Sequence, residues 1–226
     1  PTWGRVSVNG AYELAASLDH ICPLCRSAAD AGALLGIIAG ADPYDATARQ
    51  EPVPDYLAGS DRELHKLRIG IDPQYTSQGV DAVMRAATEH ARDLFAGLGA
   101  ELRSVKFPDP LDVIRDWGAQ CSVETAVAHA ATYPSRAGEY GPGLSGFIAM
   151  GREVKAMDLQ EVWKRRRRFA GRIAAMFETI DLLLIPAQPM ASPTVAEMAT
   201  LGQDPNAFEV LVKFTAPFNS TGSPTI

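Results

Sequence analysis

Cysteine is scarce in this chain, with three among 226 residues. A small, odd number fits a reducing, cytoplasmic setting better than a disulfide scaffold. Long apolar runs are missing as well: the hydrophobic stretches are too short or too interrupted to span a bilayer, and no signal-peptide pattern appears. There is no internal repeat and no low-complexity tract. Positive charge is not in excess, since the formal net charge is −6, which argues against a generally nucleic-acid-binding surface and says little about a small neutral substrate. Disorder is also excluded, because 46% hydrophobic and 21% charged residues suffice for a large core, in one domain or part of one. The chain opens Pro1-Thr2-Trp3 without a methionine and closes inside an uncharged segment, FNSTGSPTI. The expectation is that both ends were cut within folded structure.

What is present is organised around Ser17–Gly40, SLDHICPLCRSAADAGALLGIIAG, where a polar, turn-prone loop runs into a patterned helix. Ser27 can cap that helix, and Asp30, three residues on, falls where a capping-box carboxylate meets the positive end of the helix dipole. Ala31, Leu34, Leu35 and Ile38 repeat at the spacing of one buried face, and Gly40 suits the position just past the end.

The flanking chain reads as alternating strands and helices. Residues 1 to 16 suit an extended segment with turns at Gly4 and Asn9-Gly10, and residues 41 to 61 read as a long surface connection. Leu67–Ile71 is a strand candidate, Ser77–Leu98 a helix with Val80, Val83, Met84, Ala87, Ala91, Leu94, Phe95 and Leu98 on one side, and Ala100–Phe107 a second strand. Together they form a βαβ unit with parallel strands. A helical pattern follows from Leu111 to Tyr133, then a turn at 141–143, a short helix from Leu144, and the longest helix from Asp158 to Ile180, with Asp158 as its cap and Leu159, Val162, Phe169, Ile173, Met176 and Phe177 inward. Asp181–Ile185, closed by Pro186, reads as a buried central strand. The fold class expected is α/β, a mixed β-sheet core flanked by α-helices, incomplete because the chain is part of a larger domain.

Three local motifs each have a plainer reading beside the chemical one. Cys22-Pro23-Leu24-Cys25 beside His20 has the spacing of a redox pair or half a zinc site, yet no strand of a βαβ unit precedes it and only Cys121 and His129, distant in sequence, could complete a metal site. Structural thiols and no metal are therefore expected. Lys164–Arg168 lies in an amphipathic helix of an acidic chain and reads as a solvated face or the contact of an acidic partner. Asp19 and His20 are adjacent and so poorly placed to share a proton; they read as hydrogen bonders that fix the loop.

Several of these stretches carry a family resemblance. SLDHICPLCRSAADAGALL resembles the SLDHIGPMARSVADAALLL segment of the amidase signature serine hydrolases, with Cys22 where that family usually has glycine and Cys25 where it usually has a small residue. Pro1–Ser7 resembles the KPTYGRVS segment that precedes it, DLLLIPAQPMASPT resembles DxLLxPTxPxxAP, and FTAPFNSTGSPTI resembles FTxPFNLTGxPAI. The match is weak between residues 108 and 157, where family members themselves differ. The resemblance implies a cofactor-free hydrolase of carboxamides that acts through a serine acyl-enzyme, with a second serine and a lysine activating the nucleophile. The Gly/Ser-rich segment that holds those groups lies, in the family, before the part resembling Pro1–Ser7. No residue of this chain takes a catalytic role by motif match. Trp117 and Cys121, one helical turn apart in the variable segment, are the substrate-binding candidates, with core packing as the alternative. The partner implied is a small-molecule amide, with a homodimer left open and neither nucleic acid nor membrane. The alternatives are the glutaminase A subunit of a tRNA-dependent amidotransferase, which usually has Gln at the position of His20, and a non-catalytic α/β binding domain.

Overall fold

The computed structural model describes residues 1–58, 64–201 and 205–226. They divide into two units, one made of Pro1–Arg62, Trp117–Val162 and Phe218–Ile226, the other of Glu63–Asp116 and Trp163–Pro217. The last residues of the 41–61 connection lie outside the described residues.

The second unit carries the α/β character. Strand β1 (Arg68–Ile71) lies between β2 (Glu101–Ser104) and β3 (Leu182–Leu183), all parallel, with Ile69 opposite both Leu102 and Leu182. The α/β class and the parallel βαβ unit are as expected, whereas 181–185 departs from expectation: only two residues pair, at an edge of this sheet, and Leu182 is 42% exposed. The central place belongs to β1, whose Ile69 is buried. Arg68 and Asp181 tie the starts of β1 and β3, the guanidinium donating to both carboxylate oxygens at 3.0 and 2.6 Å and the Arg68 amide adding a third bond of 2.8 Å. That guanidinium is the main reason the Asp181 carboxyl is held down at about 2.

The helix expected from Ser77 starts later, and a separate short helix precedes it. Asp72 accepts from the amides of Gln74 and Tyr75, and with Pro73 in the first turn it starts α2 (Pro73–Ser77) earlier than the periodicity suggests. Gly79 then turns at φ +67°, and Asp81 caps α3 (Ala82–Gly97) through Met84 N at 2.7 Å. Val80 is buried, but Val83, Leu94 and Leu98 are exposed, so the covered stripe of α3 is narrower than the apolar pattern. The other oxygen of Asp72 accepts from Phe107 N at 2.7 Å, which brings Phe107 onto Tyr75 with ring centroids 4.2 Å apart.

Unit boundaries fall within α4 (Leu111–Ala128), α6 (Ala156–Phe177) and the helix Ala216–Thr221. Helix α4 ends before Tyr133 and continues as hydrogen-bonded turns from His129. Along α6, Val162, Phe169 and Ile173 are buried and Leu159, Met176 and Phe177 half-buried, as its periodicity predicts. Asp158 lies in the first turn rather than at the cap, where its charge still meets the positive end of the dipole.

In the first unit, α1 (Ala28–Ile38) starts at Ser27, whose hydroxyl accepts from Asp30 N at 3.1 Å. The buried face expected of it is not closed. Among its residues none is buried, and Ile37 is 80% exposed. The 41–58 connection is less of a surface loop than its composition suggests: buried Arg5 donates to Tyr56 Oη, Glu51 O and Pro52 O, and buried Asp45 accepts from Val8 N and from the amide and hydroxyl of Thr47. Helix α5 (Pro142–Glu153) begins with Pro142 in its first turn and crosses α4 at Gly151. A Cβ there would lie 1.9 Å from Ser122 O. Gly151→Ala should therefore lower stability by about 1–3 kcal/mol or more, since backbone cannot yield as a side chain can. Urea unfolding midpoints of the two proteins measure this, and an unchanged midpoint would contradict the close approach.

Candidate functional site

The loop from Ala11 to Ile21 lies wholly in the first unit and is held by hydrogen bonds rather than by secondary structure. Its apolar residues Ala15 and Leu18 are buried with Cys121 of α4, and Trp117 and Phe147 pack against that cluster. Asp19 bends the loop on itself: one carboxylate oxygen accepts from Leu14 N at 2.9 Å and Ala15 N at 3.0 Å. This is the loop-fixing role that the adjacency of Asp19 and His20 suggests.

Helix α4 supplies the next clamp. Glu124 accepts from Ser17 N at 2.8 Å and from Ser17 Oγ at 2.7 Å, while Gln120, 2% exposed, donates to both Glu124 and Ser17. A carboxylate and a buried amide on a mainly apolar helix face are costly unless bonded, and here each finds its partners.

A third clamp comes from α7 (Ala216–Thr221). Asn219 Oδ1 accepts from Trp117 Nε1–H at 2.5 Å, and its Nδ2 donates to Leu18 O at 2.7 Å. His20 Nδ1 approaches the same Leu18 carbonyl at 2.7 Å and lies 3.2 Å from Asn219 Nδ2. The shorter contact, to the carbonyl oxygen, favours Nδ1–H as the donor with Asn219 Nδ2 sharing its acceptor, whereas in the other tautomer Nδ1 would accept from Asn219 Nδ2. In the first neutral tautomer Nε2 is an acceptor. His20 also lines a cavity of about 190 Å³, together with Val8, Tyr12, Glu13, Asp19 and Ile21.

Trp117 and Cys121 are thus brought together on one face of α4, under the loop. Cys121 is 2% exposed and Trp117 half-buried, and neither lines this cavity. Burial pushes the Cys121 thiol up to about 11. Cys22 and Cys25 are both exposed, and among the described residues no three His, Cys, Asp or Glu side chains converge as metal ligands. His129, the distant candidate for such a site, meets Tyr140 Oη at 2.9 Å instead. The basic run is not simply a solvated face, because Arg165 grips Asp116 with two bonds of 2.6 and 2.7 Å and Arg166 lies over the Trp163 ring.

Comparison with known proteins gives this geometry a family. The Amidase family model matches residues 1–226. This chain belongs to the amidase family. Among the curated amidase relatives, the putative amidase AmiD of Mycobacterium tuberculosis (strain ATCC 25618 / H37Rv) is 41% identical over 234 residues, covering 100% of this chain and 47% of that protein. The glutamyl-tRNA(Gln) amidotransferase A subunit of Geobacter sp. (strain M21) is 30% identical, over 99% of this chain and 50% of that protein. The chain therefore spans about half the length of the curated relatives it matches. The crystal structure of the glutamyl-tRNA(Gln) amidotransferase A subunit from Thermotoga maritima superposes with a TM-score of 0.78 at 24% identity, over 98% of this chain and 48% of that one, a likeness of fold. Among the described residues no helix is long and apolar enough to cross a membrane.

The sequence singles out Trp117, Cys121, Asp19 and His20 but gives Asn219, Gln120 and Glu124 no comparable prominence. A signal for the last two exists: they fall on the Trp117–Cys121 side of α4, where polar residues interrupt an apolar stripe.

This placement makes a direct prediction for the three thiols. In native protein at pH 8, two should react rapidly with a thiol reagent and Cys121 only after unfolding, because its thiolate is suppressed and shielded. Rapid reaction of all three would contradict the burial of Cys121.

Proposed function

We propose that residues 1–226 are part of a single amidase-type α/β domain that hydrolyses the C–N bond of a small carboxamide through a serine acyl-enzyme, without a cofactor, in a reducing, cytoplasmic setting. The observation that carries this reading is the family match over residues 1–226, with 41% identity to a putative amidase. Further support comes from α1, an apolar helix with no buried residue. A helix apolar all round ordinarily lies inside a larger body. No stretch of these residues matches the Ser/Ser/Lys signature, so the nucleophile, its base and the oxyanion donors are assigned to a segment that residues 1–226 do not include. In this reading Trp117 and Cys121 serve the substrate by seating the 11–21 loop. They remain the substrate-binding candidates of the complete enzyme.

A second reading, the glutaminase component of an amidotransferase, is favoured by the 30% identity to such proteins. His20 stands where that component usually has Gln, which weighs for the amidase. Both readings are tested together. The complete enzyme should be labelled by an active-site-directed fluorophosphonate and release ammonia from simple carboxamides, whereas a polypeptide of residues 1–226 should do neither. Hydrolysis of free glutamine alone would select the second reading. Ammonia release at a catalytic rate by residues 1–226 alone would overturn the assignment of the nucleophile.

A further inference from the structure

The cavity beside the 11–21 loop is chemically one-sided. Its lining combines Val8, Ala11, Leu14 and Ile21 with Tyr12, Glu13, Asp19 and His20, and among the described residues no Lys or Arg lines it. Such a wall repels carboxylates and suits a small neutral group that donates hydrogen bonds. The ring nitrogen able to receive one is His20 Nε2, because Nδ1 is engaged with Leu18 O at 2.7 Å.

Were the imidazole to switch to its other tautomer, Nδ1 would present a lone pair to the Leu18 carbonyl, two acceptors in contact. Asn219 Nδ2–H and Trp117 Nε1–H continue the chain of bonds from that carbonyl, the first on Leu18 O at 2.7 Å and the second on Asn219 Oδ1 at 2.5 Å. The amide of Asn219 cannot turn over without placing its NH2 against the indole N–H, so the direction of each bond from Trp117 to Leu18 is set.

We propose that this cavity is a binding site for the amide nitrogen of a primary or secondary carboxamide, with His20 Nε2 accepting its N–H. Asn219 and Trp117 are the positioning residues that keep His20 in the accepting tautomer. This rests on the amidase reading and deepens it by naming the group that tells an amide from an ester or an acid, neither of which offers an N–H there.

The test has a spectroscopic arm and a kinetic arm. With imidazole nitrogens labelled with 15N in the full chain, His20 should show the Nδ1–H tautomer, and benzamide should move its Nε2 resonance while N,N-dimethylbenzamide, which has no N–H, should not. In the complete enzyme, His20→Ala should raise KM for benzamide about three- to tenfold, the loss of one ordinary hydrogen bond, with kcat little changed. His20→Gln, whose side chain can offer an acceptor near the same point, should restore most of that loss, and Asn219→Ala should raise KM in the same direction. An Nε2–H tautomer overturns the proposal. So does a His20 resonance unmoved while others shift with benzamide, an outcome that leaves the amidase reading intact. If no resonance moves with any amide and the complete enzyme hydrolyses none, the amidase reading fails and the proposal falls with it.

Discussion

One side-chain amide, that of Asn219, ties together three stretches of chain that lie far apart in sequence. Its oxygen takes the indole N–H of Trp117 on α4 and its nitrogen reaches Leu18 O, 201 residues away in sequence. Drawing such distant segments together costs chain entropy that grows only slowly with separation. The packing of Ala15, Leu18 and Cys121 offsets part of that cost. Burial alone, however, would leave the loop free to slide, since apolar contacts have no direction. The hydrogen bonds give it one register. Glu124 and Gln120 fix Ser17 from the same helix, so α4 acts on the loop through a polar edge as well as an apolar face.

The sheet unit rests on a comparable device. Asp72 uses one oxygen to start α2 and the other to hold Phe107 N. A single carboxylate thus sets both the exit of β1 and the place of the aromatic residues Phe107 and Tyr75. Arg68 and Asp181 do the same for the starts of β1 and β3. In both units backbone groups at the ends of short elements are satisfied by a few acidic and amide side chains, which is how a chain with short strands leaves no buried side-chain polar atom unpartnered among the described residues.

How much of this is legible in the sequence depends on the kind of signal. Elements defined by repetition are legible: the inward residues of α6 and the β1–α3–β2 order follow from spacing alone. Elements set by capping chemistry are not, as when Asp72-Pro73 starts a short helix outside the apolar pattern and Gly79-Asp81 delays the start of the next. Exposure is misjudged where a pattern names a face but not what covers it, and α1 shows this most clearly. The site is half legible. Asp19 and His20 stand out as polar residues in a loop, and Trp117 and Cys121 as a helix pair. The partner that unites them, Asn219, looks like any other turn-forming residue until the tertiary contact is seen. The family resemblance marks its segment, FNSTGSPTI, without giving it a role.

The central claim, that Asn219 and Trp117 act as a unit on the loop carrying His20, is measured most directly by a double-mutant cycle. Trp117→Phe removes the N–H while keeping an aromatic ring, and Asn219→Ala removes its acceptor. Unfolding free energies of the two single variants and the double variant should show a coupling of about 0.5–3 kcal/mol, as expected for residues in one hydrogen-bond network. Strictly additive losses would mean that the two side chains stabilise the loop independently, and would contradict the account.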